Sequence, residues 1–291
     1  MNRKFFTKLV ITLFFGISSN LLADNSRPDL WKVEKNGHTS YLFGSIHLGS
    51  EDMYPLSKVV NDAYNVSQYL VVEVDVKPED EAKMVPLVRK YGLDRATPIE
   101  KRLSPRTLET YRANCKDKLL ACETFAPFKA WLLSVQLTMM RMKKLGYDGE
   151  LGIDKHFLSR AHKTNKNIIS LESAESQFVM LSSFNQQQQE LMLIQSMQAE
   201  EQEFIALFDA WKSGDDKSMI KMFLKDIEKP GANAMYKKIF DQRNIAMVDG
   251  IKRHIAAKKT LFVVVGAGHM VGEMGIINLL ENDGFKLSQI Q

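Results

Sequence analysis

The sequence predicts an α/β fold: a mixed, mainly parallel central sheet with an N-terminal β-hairpin and a large inserted helical block. Three observations predict it. Residues 69–76 (YLVVEVDV) and 260–265 (TLFVVV) are nearly continuous apolar runs, the pattern of strands covered on both faces. Asn36-Gly37 stands between two β-rich runs, and Asn-Gly is a strong hairpin signal because both residues accept positive φ. Long stretches with helical spacing fill the chain between the apolar strands.

Taken in order, residues 1–8 carry Arg3, Lys4 and Lys8 with no acid, 9–17 are apolar, and the segment closes at Leu21-Leu22-Ala23. A basic start, a short apolar core and a small residue before a polar one describe a signal peptide. The run is shorter than the ~20 residues of a membrane span. We therefore expect 1–23 to be removed, with no lipid-modified cysteine and no stable membrane anchor left behind. Residues 24–291 would then form one exported α/β domain, periplasmic or secreted. Removing the three leader cations from a formal net charge of +4 leaves +1, so no nucleic-acid footprint is expected. Cys115 and Cys122 are the only cysteines. In an oxidising compartment a short-range disulfide is the expectation, with free thiols as the alternative.

The hairpin runs, 31–35 and 39–43, lead into Gly44-Ser45-Ile46-His47. Helical spacing follows over 55–67, with Leu56, Val59, Val60 and Ala63 on one face. The strand at 69–76 is interrupted by Glu73 and Asp75. Strand, helix and strand make a βαβ unit, so the strands before and after this helix are expected to be parallel neighbours. A third strand is expected at 167–171, followed by Glu172. The fourth, at 260–265, runs into Gly266-Ala267-Gly268-His269, then a helix at 274–282 and an edge strand at 285–289. The insertion occupies about 79–165 and 174–257, with helices at 79–91, 104–114, 127–146, 152–162, 174–182, 186–214, 215–228 and 233–257. Met139, Met140 and Met142 read as core fillers, and the QQQQE tract as solvated helix surface.

The polar residues fall at strand ends. His47 follows the first strand, Glu73 lies late in the second, Glu172 ends the third and His269 follows the fourth. Ligand sites of parallel sheets form beyond the carboxyl ends of the strands, so four strand ends would deliver two imidazoles and two carboxylates to one edge. Gly44 and Gly266 open the two G-x-x-H turns, where glycine permits positive φ or close backbone approach. A carboxylate in an apolar strand must be paired, protonated or bound to a cation, and two imidazoles with a carboxylate are a ligand set for manganese, cobalt or zinc. If burial raises its pKa, Glu73 would instead serve as a general base. His38 in the hairpin and His254 on a helix face read as structural. His156 and His162 lie nearer the site, on a helix that reads as structural too.

The motifs YLFGSIHLGS, VVEVD and VVVGAGHMVGEMGIINLLENDGF resemble the signatures of the TraB/GumN family, which is related to the Tiki metalloproteases and more distantly to erythromycin-esterase and haem-binding ChaN proteins. APFKAW, GIDKHF and SLESAESQ fit more loosely, so the similarity spans 31–285. The resemblance implies an EreA/ChaN-like core and a site built from His47, Glu73 and His269. It also implies a functional arginine on the helix before the last core strand, here Arg243 of DQRN, able to bind a carboxylate or stabilise an oxyanion. Glu172, Gly44 and Gly266 would support these residues. Three functions share the set: a metal-dependent hydrolase of peptide or related amide bonds, a protein that binds or sequesters a peptide or haem, and a metal-free His/Glu hydrolase. The substrate, peptide or small molecule, is not named by the sequence, and neither is the oligomeric state.

Overall fold

The strands form around the most apolar segments of the chain. In a computed structural model, residues 30–77, 81–116 and 122–290 are described; the expected signal peptide lies outside them. Among the described residues there are six strands: β1 (Leu30–Lys35), β2 (His38–Ser45), β3 (Tyr69–Val72), β4 (Asn167–Ser170), β5 (Leu261–Gly266) and β6 (Lys286–Ile290). They make one sheet in the order β4-β3-β5-β2-β1-β6. β4, β3, β5 and β2 run parallel, while β1 pairs antiparallel with β2 and β6. The hairpin turns at Asn36-Gly37, both at positive φ.

One expectation is corrected. β2 and β3 run in the same direction but are not neighbours, because β5 lies between them. The reason is burial: Leu261 to Val265 are each at most 1% exposed, and so apolar a strand takes the centre, where both of its edges are paired and both faces covered. β3 is also shorter than the apolar run suggested. It stops at Val72 because the next residue, Glu73, turns its carboxylate to the Gly266 N–H.

Alternation along the strands divides the core. Phe43, Leu70, Phe262 and Val264 face one side, under α1 (Lys58–Val66) and helices of the inserted block. Leu42, Val71, Val263 and Val265 face the other. The block begins with α2 (Glu81–Leu87), α3 (Pro105–Lys116), α4 (Cys122–Phe125), α5 (Ala130–Lys144) and α6 (Ile153–Thr164). After β4 come α7 (Ala174–Ser182), α8 (Gln186–Gln198), α9 (Glu201–Ser213), α10 (Asp216–Phe223), α11 (Ala232–Tyr236) and α12 (Gln242–Ala256). α13 (Ile276–Asn282) follows β5 and, with α12, covers the second face. Among the described residues no helix is long and apolar enough to cross a membrane.

The expected helix over 186–214 is two helices. Ala199 and Glu200 both leave the helical conformation, which lets α8 bury Leu193 and Met197 in a separate helical core while α9 buries Phe208 and Trp211 over the sheet. That helical core also holds the cysteine pair. Cys115 and Cys122 are disulfide-bonded, with Cα atoms 5.8 Å apart, as expected. The expected helix over 233–257 is helical to Ala256, but a π-helical turn at Lys237–Asp241 joins α11 to α12. Such a turn widens the helix locally and rotates the residues on its C-terminal side; in this chain those residues are Arg243 and Asn244.

Candidate active site

The sheet register brings the strand ends level. Gly44 of β2 pairs with Val265 of β5, and Val72 of β3 pairs with Val264 of β5 and Ser170 of β4. Glu73 is therefore one step beyond its strand on the same edge, and the Glu172 N–H donates to the Glu73 carbonyl at 2.8 Å. Trp211 pins the first turn by donating its indole N–H to the Gly44 carbonyl at 2.8 Å.

Around this edge the predicted residues converge. A Cβ placed on Gly266 would lie 3.3 Å from Glu73 Oε1, 3.6 Å from the His269 ring and 3.8 Å from His47 Nε2. The two imidazoles, 222 positions apart in the numbering, thus share one small volume with the carboxylate, and glycine at 266 keeps it open. Gly44 packs its turn against Ala267 instead.

Glu73 is held on three sides. Oε1 accepts from the Gly266 N–H at 2.8 Å; Oε2 accepts from Arg243 at 2.8 Å and from Gln177 at 3.1 Å. Burial favours the neutral acid, but the His269 and His47 imidazoles, the Arg243 guanidinium and the Gly266 N–H together outweigh it and bring the pKa down to about 2. The condition on which Glu73 would serve as a general base, a pKa raised by burial, is therefore not met. Arg243 grips Glu172 with Nε and a terminal nitrogen, both at 2.7 Å, and spends another N–H on the Ile239 carbonyl. Its side chain is 15% exposed. In this arrangement its donors are directed at the two carboxylates. Glu172 does not cap α7; Ser173 does, through a capping box with Ser176.

His269 is buried, and its tautomer follows from its neighbours. Asn244 donates Nδ2 to the Met274 carbonyl at 2.7 Å, which turns Oδ1 towards His269 Nδ1 at 2.5 Å. An acceptor facing Nδ1 requires the proton there, leaving the lone pair on Nε2. That nitrogen stands 3.7 Å from Glu73 Oε1. Burial pushes His269 down to about 4, so the imidazole is neutral near pH 7. Two acceptors then face each other, an arrangement that calls for a donor or a cation between them.

His47 sits at the rim, its side chain 66% exposed, with Nδ1 3.0 Å from Asp154 Oδ2. The Asp154 charge raises its pKa above the ordinary value against the opposing desolvation and the Arg243 charge; water at the rim damps the rise. Asp154 reaches His47 because α6 docks its start on the first turn, where the Ile153 N–H donates to the Ile46 carbonyl at 3.0 Å. Only glycine fits at 152, since a Cβ there would stand 2.3 Å from the His47 carbonyl oxygen.

Of these groups, His47, Glu73, Gln177 and Asp154 open onto a cleft of about 600 Å³. Ser45, Val72, Glu73 and Val264 line it, together with Asp154, Leu158 and His162 of α6. Ser45 is 2% exposed and its hydroxyl has no protein partner. Across the cleft, His162 Nε2 pairs with Asp75 Oδ1 at 2.8 Å. The remaining histidines lie elsewhere: His38 at the start of β2, His254 beside Lys259, and His156 packed on the Tyr54 ring at 4.9 Å.

The sequence reading did not assign Ser45, Asp154, Gln177 or Asn244. Each had a local signal. Ser45 is inside the first G-x-x-H, Asp154 inside GIDKHF, Gln177 ends SLESAESQ, and Asn244 follows Arg243.

The donor chemistry suits a divalent cation: each histidine is tethered at Nδ1 by a side-chain oxygen and presents Nε2, the usual orientation of a metal-bound imidazole. The spacing is more open. Among the described residues no three His, Cys, Asp or Glu side chains are placed to hold a metal ion.

Comparison with known proteins shows what the chain is similar to. The family model described as "TraB/PrgY/gumN family" matches residues 29–289. An uncharacterized protein YbaP of Shigella flexneri is 26% identical over 245 residues, covering 83% of this chain and 87% of its own. Its Escherichia coli (strain K12) counterpart is 26% identical over 244 residues, covering 82% and 87%. An uncharacterized protein of Treponema pallidum (strain Nichols) is 23% identical over 194 residues, covering 65% of this chain and 56% of its own. No solved structure matches.

Proposed function

The chain belongs to the TraB/PrgY/gumN family, and from that footing we propose that it is an exported, metal-dependent hydrolase of peptide or related amide bonds. His47 Nε2, His269 Nε2 and Glu73 Oε1 would hold the ion. The observation that carries this reading is the His269–Glu73 contact, where a lone pair fixed by Asn244 faces an ionised carboxylate at 3.7 Å. A divalent ion there would supply Lewis acidity to the carbonyl and acidify a water. His47, oriented by Asp154 through Nδ1, would be the third donor through Nε2, which lies beside Gly266.

The same numbers weigh against a metal-free base. Glu73 near 2 and His269 near 4 are poor proton acceptors at neutral pH. His47, raised by Asp154, holds its proton more tightly than an ordinary imidazole, which makes it a poor acceptor in a metal-free mechanism and means that it would release that proton on binding an ion. The chain's own contributions are therefore positional. Arg243 and Gln177 hold Glu73 Oε2, leaving Oε1 towards the histidines. Asn244 and Asp154 hold the two rings. Ser45, with no other protein partner, can donate its hydroxyl to the substrate carbonyl oxygen as charge develops there. Working outside the cytoplasm accords with the leader expected at 1–23 from the sequence and with the Cys115–Cys122 bond.

Metal analysis of the purified protein beside His47→Ala tests the reading. The wild type is expected to take up one equivalent of manganese, cobalt or zinc and to cut peptides; the variant is expected to do neither. Unchanged uptake by the variant would remove His47 from the site. Ser45→Ala is expected to lower kcat roughly ten- to a hundredfold, the size of a hydrogen bond to developing charge, with little change in KM. Its stability should hold or rise, because the substitution removes a buried hydroxyl without a protein partner. A loss of stability with kcat intact would make Ser45 structural.

A further inference from the structure

We propose that the cleft is a ruler for an extended peptide, with a carboxylate of the substrate docked on Lys163 and Lys77, three to four residues from the bond that is cut. The inference rests on the hydrolase reading and adds the substrate's shape and charge.

α6 forms one wall of the cleft. Asp154, Lys155, Leu158, Ser159, His162 and Lys163 all line it. Their spacing, repeating every four residues, is that of one helix face. Asp154 marks the reactive end, through its contact with His47. His162 marks the other end, paired with Asp75. Eight residues of helix separate these marks, which at ~1.5 Å per residue is about 12 Å. An extended chain covers that in about three to four residues, at ~3.3–3.6 Å each.

Charge is unequal along this length. At the reactive end the side chains are acidic or neutralised: Glu73 and Asp154 are there, and Lys155 is paired with Glu150. At the far end Lys163 and Lys77 line the cleft and are exposed. Among the described residues neither has a carboxylate partner. Val72, Val74, Val76, Leu158 and Val264 also line the cleft and give it an apolar surface. A substrate with a carboxylate at one end and a neutral amide about 12 Å away matches this polarity. The carboxylate has two sources, the peptide's own C-terminus or an acidic side chain at the matching position.

The test is cleavage of three matched pools of short peptides by the manganese- or cobalt-loaded protein, with products read by mass spectrometry. One pool has free C-termini, one has amidated termini, and one has amidated termini with glutamate three or four residues beyond each candidate bond. The expected result is cutting three to four residues from a carboxylate in the first or third pool, and little cutting in the second. Lys163→Gln with Lys77→Gln should raise KM for the preferred pool roughly tenfold and leave kcat and the second pool unchanged. Preference for the first pool names the terminus; preference for the third names a side chain. Equal cutting of all three pools, or an unaltered KM in the double variant, overturns the ruler and leaves the hydrolase reading standing. No cutting of any pool by the loaded wild type overturns both.

Discussion

Arg243→Ala is expected to destabilise the protein by about 3–5 kcal/mol, the cost of leaving buried charge uncompensated, and to abolish its activity. Arg243 lies between Glu73 and Glu172, whose side chains are 9% and 13% exposed. Its forked contact to Glu172 and its further bond to Glu73 use the planar guanidinium, which a lysine cannot reproduce. Removing it leaves two carboxylates sharing Gln177 as their only other side-chain donor among the described contacts. Part of the loss should return in Arg243→Ala with Glu172→Gln, because that change removes one of the opposed charges. Urea unfolding of the two single variants and the double variant would measure the coupling, which residues in direct contact are expected to show. Activity should not return with stability, since Glu73 would still lack the group that fixes its orientation. An Arg243→Ala protein as stable as the wild type would mean that the triad is not intact in solution.

The parts of the site that were legible in the sequence are those that depend on local pattern. Apolar runs ended in His47, Glu73, Glu172 and His269, and parallel strands place their carboxyl ends on one edge, so convergence followed from direction alone. Strand order did not, because nothing local to β5 states that it inserts between β2 and β3; only the demand to bury every residue of it does. Asp154 was hidden for a related reason. Its reach to His47 depends on Gly152 allowing the start of α6 to touch the first turn, a contact between segments about a hundred residues apart. The π turn before Arg243 and the break at Ala199-Glu200 change the face that each helix presents, and helical periodicity alone reads across both. Arg243 itself was singled out only by the family resemblance, since nothing in its local helical pattern marks it as buried. Its burial becomes visible only once the two carboxylates are known to lie beneath it.

Acid should destabilise this protein through two groups of the site, His269 first and then Glu73. His269 has a folded pKa near 4 against 6.5 for the ordinary imidazole. As pH falls through 6.5 the unfolded chain takes up a proton that the folded protein refuses, so stability declines until pH 4. The decline totals about 3 kcal/mol at ~1.4 kcal/mol per pH unit. Glu73, near 2 against 4.5, then extends the fall in the same direction below pH 4.5, as the unfolded carboxylate protonates first. His47 acts with the opposite sign: its raised pKa favours folding at low pH and the contribution fades as pH rises, although exposure keeps it small. The acid limb should therefore be the steep one. Urea midpoints between pH 4 and 8, taken in chelator so that no ion competes for the imidazoles, should show it in the wild type. His269→Gln should flatten that limb by about one proton between pH 6.5 and 4. Parallel limbs in the two proteins would mean that His269 is charged in the folded state. The lone pair facing Glu73 would then be a proton, and the proposed cation would have lost one of its ligands.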